Sequence, residues 1–116
     1  MKLAADAVIA IVALLHVWFM VLETFLWTTP YGRKTFAMSE EQAAATRTLA
    51  MNQGLYNGFL AAGLLWSLAA GAAVAIFFLA CVVVAGVFGA LTASRKILLV
   101  QAVPGALALA LVLAAR

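Results

Sequence analysis

Four long apolar segments, separated by short polar, proline- or glycine-containing stretches, make up most of this sequence. Hydrophobic residues are 68% of the 116 and charged residues 9%, against roughly 45–50% and about 25% in a soluble domain. Too little polar surface remains to coat a water-soluble globule, so the pattern points to a chain that uses the bilayer as its solvent. At about 20 residues per crossing, the length accommodates at most four spans.

The first span is expected over residues 3–28. It ends at Thr28-Thr29-Pro30-Tyr31-Gly32, because Pro30 pushes Thr29 out of the helical region. No A-x-A-like cleavage site follows the opening run, which continues through Trp27, so the run is expected to stay as a span and not to be removed as a signal peptide. A polar segment, about 29–47, carries Arg33, Lys34, Glu40, Glu41 and Arg47. Within it Ser39 and Gln42 have capping-box spacing, which starts a helix near Glu40 that continues unbroken into a second span, about 48–68. Ala69-Ala70-Gly71 is the break before a third span, about 72–93, and Ser94-Arg95-Lys96 is the loop before a fourth, about 97–114. The expected fold is all-α: one integral membrane four-helix bundle with antiparallel up-down connectivity, its second helix extended on the cytoplasmic side.

The net charge of +3 reads as topology and not as a nucleic-acid surface, since the cations sit at segment ends. The two polar loops hold five Lys/Arg (Arg33, Lys34, Arg47, Arg95, Lys96) and the other side two (Lys2, Arg116). The positive-inside rule then puts both loops in the cytoplasm and both termini outside a bacterial inner membrane, with lipids as the surrounding partner. A role for the Arg33/Lys34 and Arg95/Lys96 pairs in binding anionic headgroups is a second reading. The single cysteine, Cys81, excludes an internal disulfide and a cysteine-based zinc site, and its apolar run marks it as packing. Gly54-x-x-x-Gly58 with Ala62, and Ala85, Gly89 and Ala93, form two small-residue ridges that fit against each other or offer a dimer face.

The candidate site is the set of polar residues inside the spans. Ionisable groups at membrane depth are costly, and they usually face a bundle interior or a wet cavity. His16 and Glu23 are seven residues apart in the first span, on one helix face but about 10 Å apart along the axis. They cannot bond each other directly, so another helix, water or a ligand must satisfy them. Met20 lies between them on the same stripe and Trp27 continues it. The second span opens with Asn52, Gln53, Tyr56 and Asn57; the fourth carries Gln101, beside a Val100 carbonyl freed by Pro104. By depth these groups fall in the cytoplasm-proximal half. The expected pocket is therefore His16, Glu23, Asn52, Gln53, Asn57 and Gln101, lined by Trp18, Met20, Trp27 and Tyr56. HExxH, GxSxG, P-loop and CxxC patterns do not occur, and one histidine with one spanning glutamate is a poor metal site, so no metal or cofactor is assigned.

Several runs carry a resemblance: His16, VLETFLWTTPYGRKTF from Val21, NQGLYNGFLAAGLLW from Asn52, VVAGVFGALTASRK from Val83, and Gln101-x-x-Pro104. Over nearly its whole length the chain resembles the small bacterial four-helix membrane proteins grouped as domain of unknown function 1304 (DUF1304). The resemblance implies an integral inner-membrane protein of four spans and carries over no activity or catalytic residue. The residues themselves support three readings. The first is binding of a small ligand or ion, extending to proton-coupled transport, which with only four helices implies a dimer. The second is an intramembrane isomerase-like enzyme using Glu23 and His16 as acid and base. The third is a polar-stapled bundle that docks a partner.

Overall fold

A computed structural model describes residues 1–115, and the described residues form helices joined by short turns. Arg116, counted above on the outer side, lies outside them. The helices are α1 (Lys2–Thr24), α2 (Pro30–Thr35), α3 (Glu40–Ala70), α4 (Ala72–Thr92), a π-helix (Leu98–Ala102) and α5 (Val103–Ala115). α1 and α4 are long and apolar enough to cross a membrane, and Leu99–Ala115 is a shorter apolar helix. α3 is long enough, but Asn52, Gln53 and Asn57 dilute its apolar character. Contacts divide the chain into two compact units: Met1–Leu14 with Leu60–Arg116, and Leu15–Phe59.

In the second of these units the chain departs from the sequence expectation at one place. α1 stops at Thr24, four residues earlier than expected, and residues 25–29 form a turn. The cause is Thr29. Its hydroxyl donates to the Leu26 carbonyl at 2.6 Å and accepts from the Gly32 N–H at 3.1 Å. With Pro30 in the first turn, where a missing N–H costs nothing, Thr29 caps a new helix, α2, inside the segment expected to stay irregular until Glu40. Gly32 is required here, because a Cβ would collide with the Leu26 carbonyl. α2 ends in a Schellman motif. Met38 N–H bonds Arg33 O at 2.8 Å, Ala37 N–H bonds Lys34 O at 3.3 Å, and Ala37 holds φ 53°. α3 then starts at Glu40 through the capping box. The Gln42 N–H donates to Ser39 Oγ at 3.1 Å, and Ser39 N–H donates to Gln42 Oε1 at 2.9 Å.

The other unit has an apolar core. Ala5, Ile9, Val12 and Ala13 of α1 meet Leu64 of α3, Ala75, Leu79 and Val82 of α4, and Ala108 and Val112 of α5. α3 and α4 are separated by Gly71 alone, at φ 106° and ψ −175°, a conformation essentially reserved for glycine. Between α4 and α5 the expected regular fourth helix is instead interrupted by the π-helix. Pro104 cannot donate to the Val100 carbonyl and crowds that turn, and the ladder ahead of it widens. Gly86 makes room for the widened turn: a Cβ there would lie 2.7 Å from the Ala102 backbone nitrogen. Gly89, from the second small-residue ridge, faces Ile97, just ahead of the π-helix.

Candidate functional site

The site forms in the unit of residues 15–59, where the end of α1 runs against the first half of α3. Gly54, Asn57 and Gly58 share a face of α3, and the two glycines let the helices approach closely. A Cβ on Gly54 would meet the Thr24 hydroxyl and lie 3.2 Å from the Met20 carbonyl. A Cβ on Gly58 would lie 2.9 Å from Met20 Sδ. The Gly54–Gly58 ridge, expected to fit the Ala85–Ala93 ridge or to offer a dimer face, is here the seam with α1. Close approach brings Asn57, which is buried, against Glu23, which is half-buried. Asn57 Nδ2 donates to Glu23 Oε1 across the seam.

The pair is acceptor-rich. Asn57 spends a donor on the carboxylate, while an amide oxygen and a second carboxylate oxygen are acceptors by their chemistry. Such a pair suits a cation or a ligand bearing N–H or O–H groups.

The remaining candidates separate by environment. His16 is fully buried, on the same helix as Glu23, with its ring edge-on to Phe19 at 5.3 Å. Met20, between them, packs on Gly58, so a side chain fills the interval. Trp27 donates from Nε1 to Thr46 Oγ1 at 3.0 Å and packs on Phe36 at 4.8 Å. Trp18, partly exposed, meets Tyr31 of α2 at 6.2 Å. Asn52 is exposed and donates back to the Thr48 carbonyl of its own helix at 3.1 Å. Gln53 is exposed, and so is Tyr56, which packs on Phe59 at 6.5 Å. Gln101 is half-buried and belongs to the other unit, within the π-helix. A groove of about 330 Å³ also lies in that unit, with the Lys2–Asp6 ion pair (2.7 Å) and Ala5, Ile9, Ala75 and Val112 among its walls, and it includes none of the candidates. Among the described residues, no three of His, Cys, Asp and Glu gather as metal ligands would.

Thr24 as part of the seam, and Thr46 as the partner of Trp27, are not singled out by the sequence. The spacing of Gly54 and Gly58 around Asn57 was the available signal, since a glycine pair flanking a polar residue marks where a neighbouring helix touches.

A family model described as "Protein of unknown function (DUF1304)" matches residues 10–113. The uncharacterized protein YpaA of Lactococcus lactis subsp. lactis (strain IL1403) is 32% identical over 96 residues, covering 78% of this chain and 81% of that protein. No solved structure matches the chain.

Proposed function

The chain belongs to the DUF1304 family, a family of unknown function, and on that premise we propose that it is a multi-pass bacterial inner-membrane protein whose Glu23–Asn57 pair binds a small cationic or hydrogen-bond-donating ligand. Membrane residence is supported by where the apolar surface lies. A core helix of a soluble protein is mostly buried, but only 33% of the most apolar stretch of α1 and 22% of that of α4 are buried. Leu14, Phe25, Phe77, Phe88 and Leu91 all project outward, and helices apolar on every face belong in lipid. In this reading α1, the later part of α3, α4 and the π-helix with α5 are the four crossings. α3, with 31 residues, is about 46 Å long, which exceeds a hydrocarbon core of about 30 Å, so its first turns stand in the cytoplasm. Both termini are then outside.

The observation that carries the binding reading is the Glu23–Asn57 bond at the α1–α3 seam, between two side chains whose other oxygens have acceptor capacity. Coupling to proton movement would pass through the Glu23 carboxyl, and a transport path would require a dimer. Met20, seated on Gly58, occupies the interval in which an enzyme would span a substrate between His16 and Glu23, and so favours binding over acid–base catalysis. The same packing supports a second reading, in which the pair is a polar staple between helices.

Titration of purified protein in detergent with tetraphenylphosphonium and with Na⁺, read by tryptophan fluorescence and calorimetry, separates the two. Saturable binding of either cation that is lost in Glu23→Gln and weakened in Asn57→Leu is the expected result. No saturable binding of either, with folded variants, refutes the ligand reading and leaves the staple.

A further inference from the structure

α2 and the turn before it place aromatic and basic side chains together in a way that the Glu23–Asn57 centre does not use. Tyr31, Phe36, Trp18 and Phe25 are all partly or largely exposed. The Trp18–Tyr31 and Trp27–Phe36 ring contacts, at 6.2 and 4.8 Å, tie α2 to α1 and to the turn that follows it. The Thr29 cap fixes where α2 begins. Its register is thereby set from both ends, and Arg33 and Lys34 are held on a braced element, not on a free loop.

The two cations are uncompensated. Among the described residues the ion pair within 4.0 Å is Lys2–Asp6, and neither Arg33 nor Lys34 meets a carboxylate. Arg33 also carries an anomaly. Its Nε is buried and has no hydrogen-bond partner, while Lys34 beside it is exposed. A buried donor left unsatisfied is costly, and such a group calls for an explanation that the chain's own hydrogen bonds do not supply. The Arg33 side chain as a whole is half-buried, and a planar guanidinium presents a fork of N–H groups that takes two oxygens of a phosphate together. Exposed Trp and Tyr rings beside basic residues are the composition of a membrane–water interface, and anionic lipid on the cytoplasmic leaflet attracts such clusters.

We propose that Arg33, with Lys34, holds the phosphate oxyanion of an anionic phospholipid headgroup, with Tyr31 and Phe36 resting in the interfacial layer beside it. The proposal rests on the membrane reading of the chain but not on the Glu23–Asn57 centre. It also differs from a pure topology signal, which needs charge alone. A topology anchor accepts lysine for arginine, whereas a fork does not.

The test is thermal unfolding of full-length protein in neutral detergent, with added short-chain phosphatidylglycerol, short-chain phosphatidylcholine, or inorganic phosphate. A lipid that binds only the folded protein raises Tm in a concentration-dependent way. The expected result is a saturable rise in Tm with phosphatidylglycerol and not with phosphatidylcholine, lost in both Arg33→Lys and Arg33→Gln and reduced in Lys34→Gln. A rise with inorganic phosphate at equal concentration, lost in the same variants, keeps the oxyanion site but overturns the lipid as its source. An unchanged response in Arg33→Lys overturns the fork, as does equal stabilisation by both lipids. Should Arg33→Gln not fold, Arg33→Lys alone decides, since it preserves the charge. Failure of the membrane reading would show separately, as protein recovered in the soluble fraction.

Discussion

The Glu23–Asn57 bond makes the firmest quantitative prediction, because it is one contact between residues of two helices, 34 positions apart in the sequence. Asn57→Ala removes the donor and leaves a half-buried carboxylate facing an apolar gap. Glu23→Ala removes the acceptor and leaves a buried amide unsatisfied. Each single change mixes the bond with a cavity and a desolvation cost, so neither alone measures the interaction. The double-mutant cycle isolates it. Hydrogen bonds between helices in membranes average about 0.6 kcal/mol and reach about 1.7, while bonds to charged groups in proteins contribute about 1.5–3 kcal/mol. A coupling energy of about 1–2 kcal/mol is expected, with Glu23→Gln costing less than Glu23→Ala because the Gln oxygen accepts the same bond. The assay is reversible unfolding in mixed micelles, titrated with dodecyl sulfate and followed by circular dichroism in all four proteins. Additivity within about 0.5 kcal/mol, the usual error for independent sites, would refute the reasoning that this bond joins α1 to α3.

Three backbone predictions follow from the same kind of unfolding measurement. Ala37→Gly is expected to stabilise by about 0.5–1 kcal/mol, since Ala37 holds φ 53°; a left-handed L-residue costs about 1–2 kcal/mol, partly offset by glycine's entropy in the unfolded chain. Gly71→Ala is expected to destabilise by about 1–3 kcal/mol, and through conformation alone, because a Cβ there meets nothing within 4 Å; an unchanged midpoint would show that the α3–α4 link relaxes. Gly86→Ala is expected to cost about 1–3 kcal/mol as an overpacking change, as the new Cβ would sit 2.7 Å from Ala102 nitrogen, and Gly86→Leu should cost more.

Features governed by neighbouring residues were legible in the sequence. Ser39 and Gln42 close their capping box across three positions, and Gly71 breaks the chain between α3 and α4, both as local rules dictate. Thr29-Pro30 was read as a stop, yet the same two residues also start α2, and a six-residue helix has no periodicity by which to announce itself. The π-helix was hidden because the widened turn depends on Gly86, which lies on another helix. The same limit applied to the site. Depth puts Asn52, Gln53, Asn57 and Gln101 into one expected pocket, whereas the structure pairs Asn57 with Glu23, because Gly54 and Gly58 bring α1 against that face of α3. Asn52 and Gln53 differ from Asn57 by a rotation about the helix axis that composition does not reveal.

Whether these helices lie in a bilayer is decided by alkaline carbonate extraction of bacterial membranes expressing the chain. A protein that spans the membrane through α1, α3, α4 and α5 stays in the pelleted membrane at high pH. Recovery of the folded chain in the carbonate supernatant would mean that its helices do not span the bilayer.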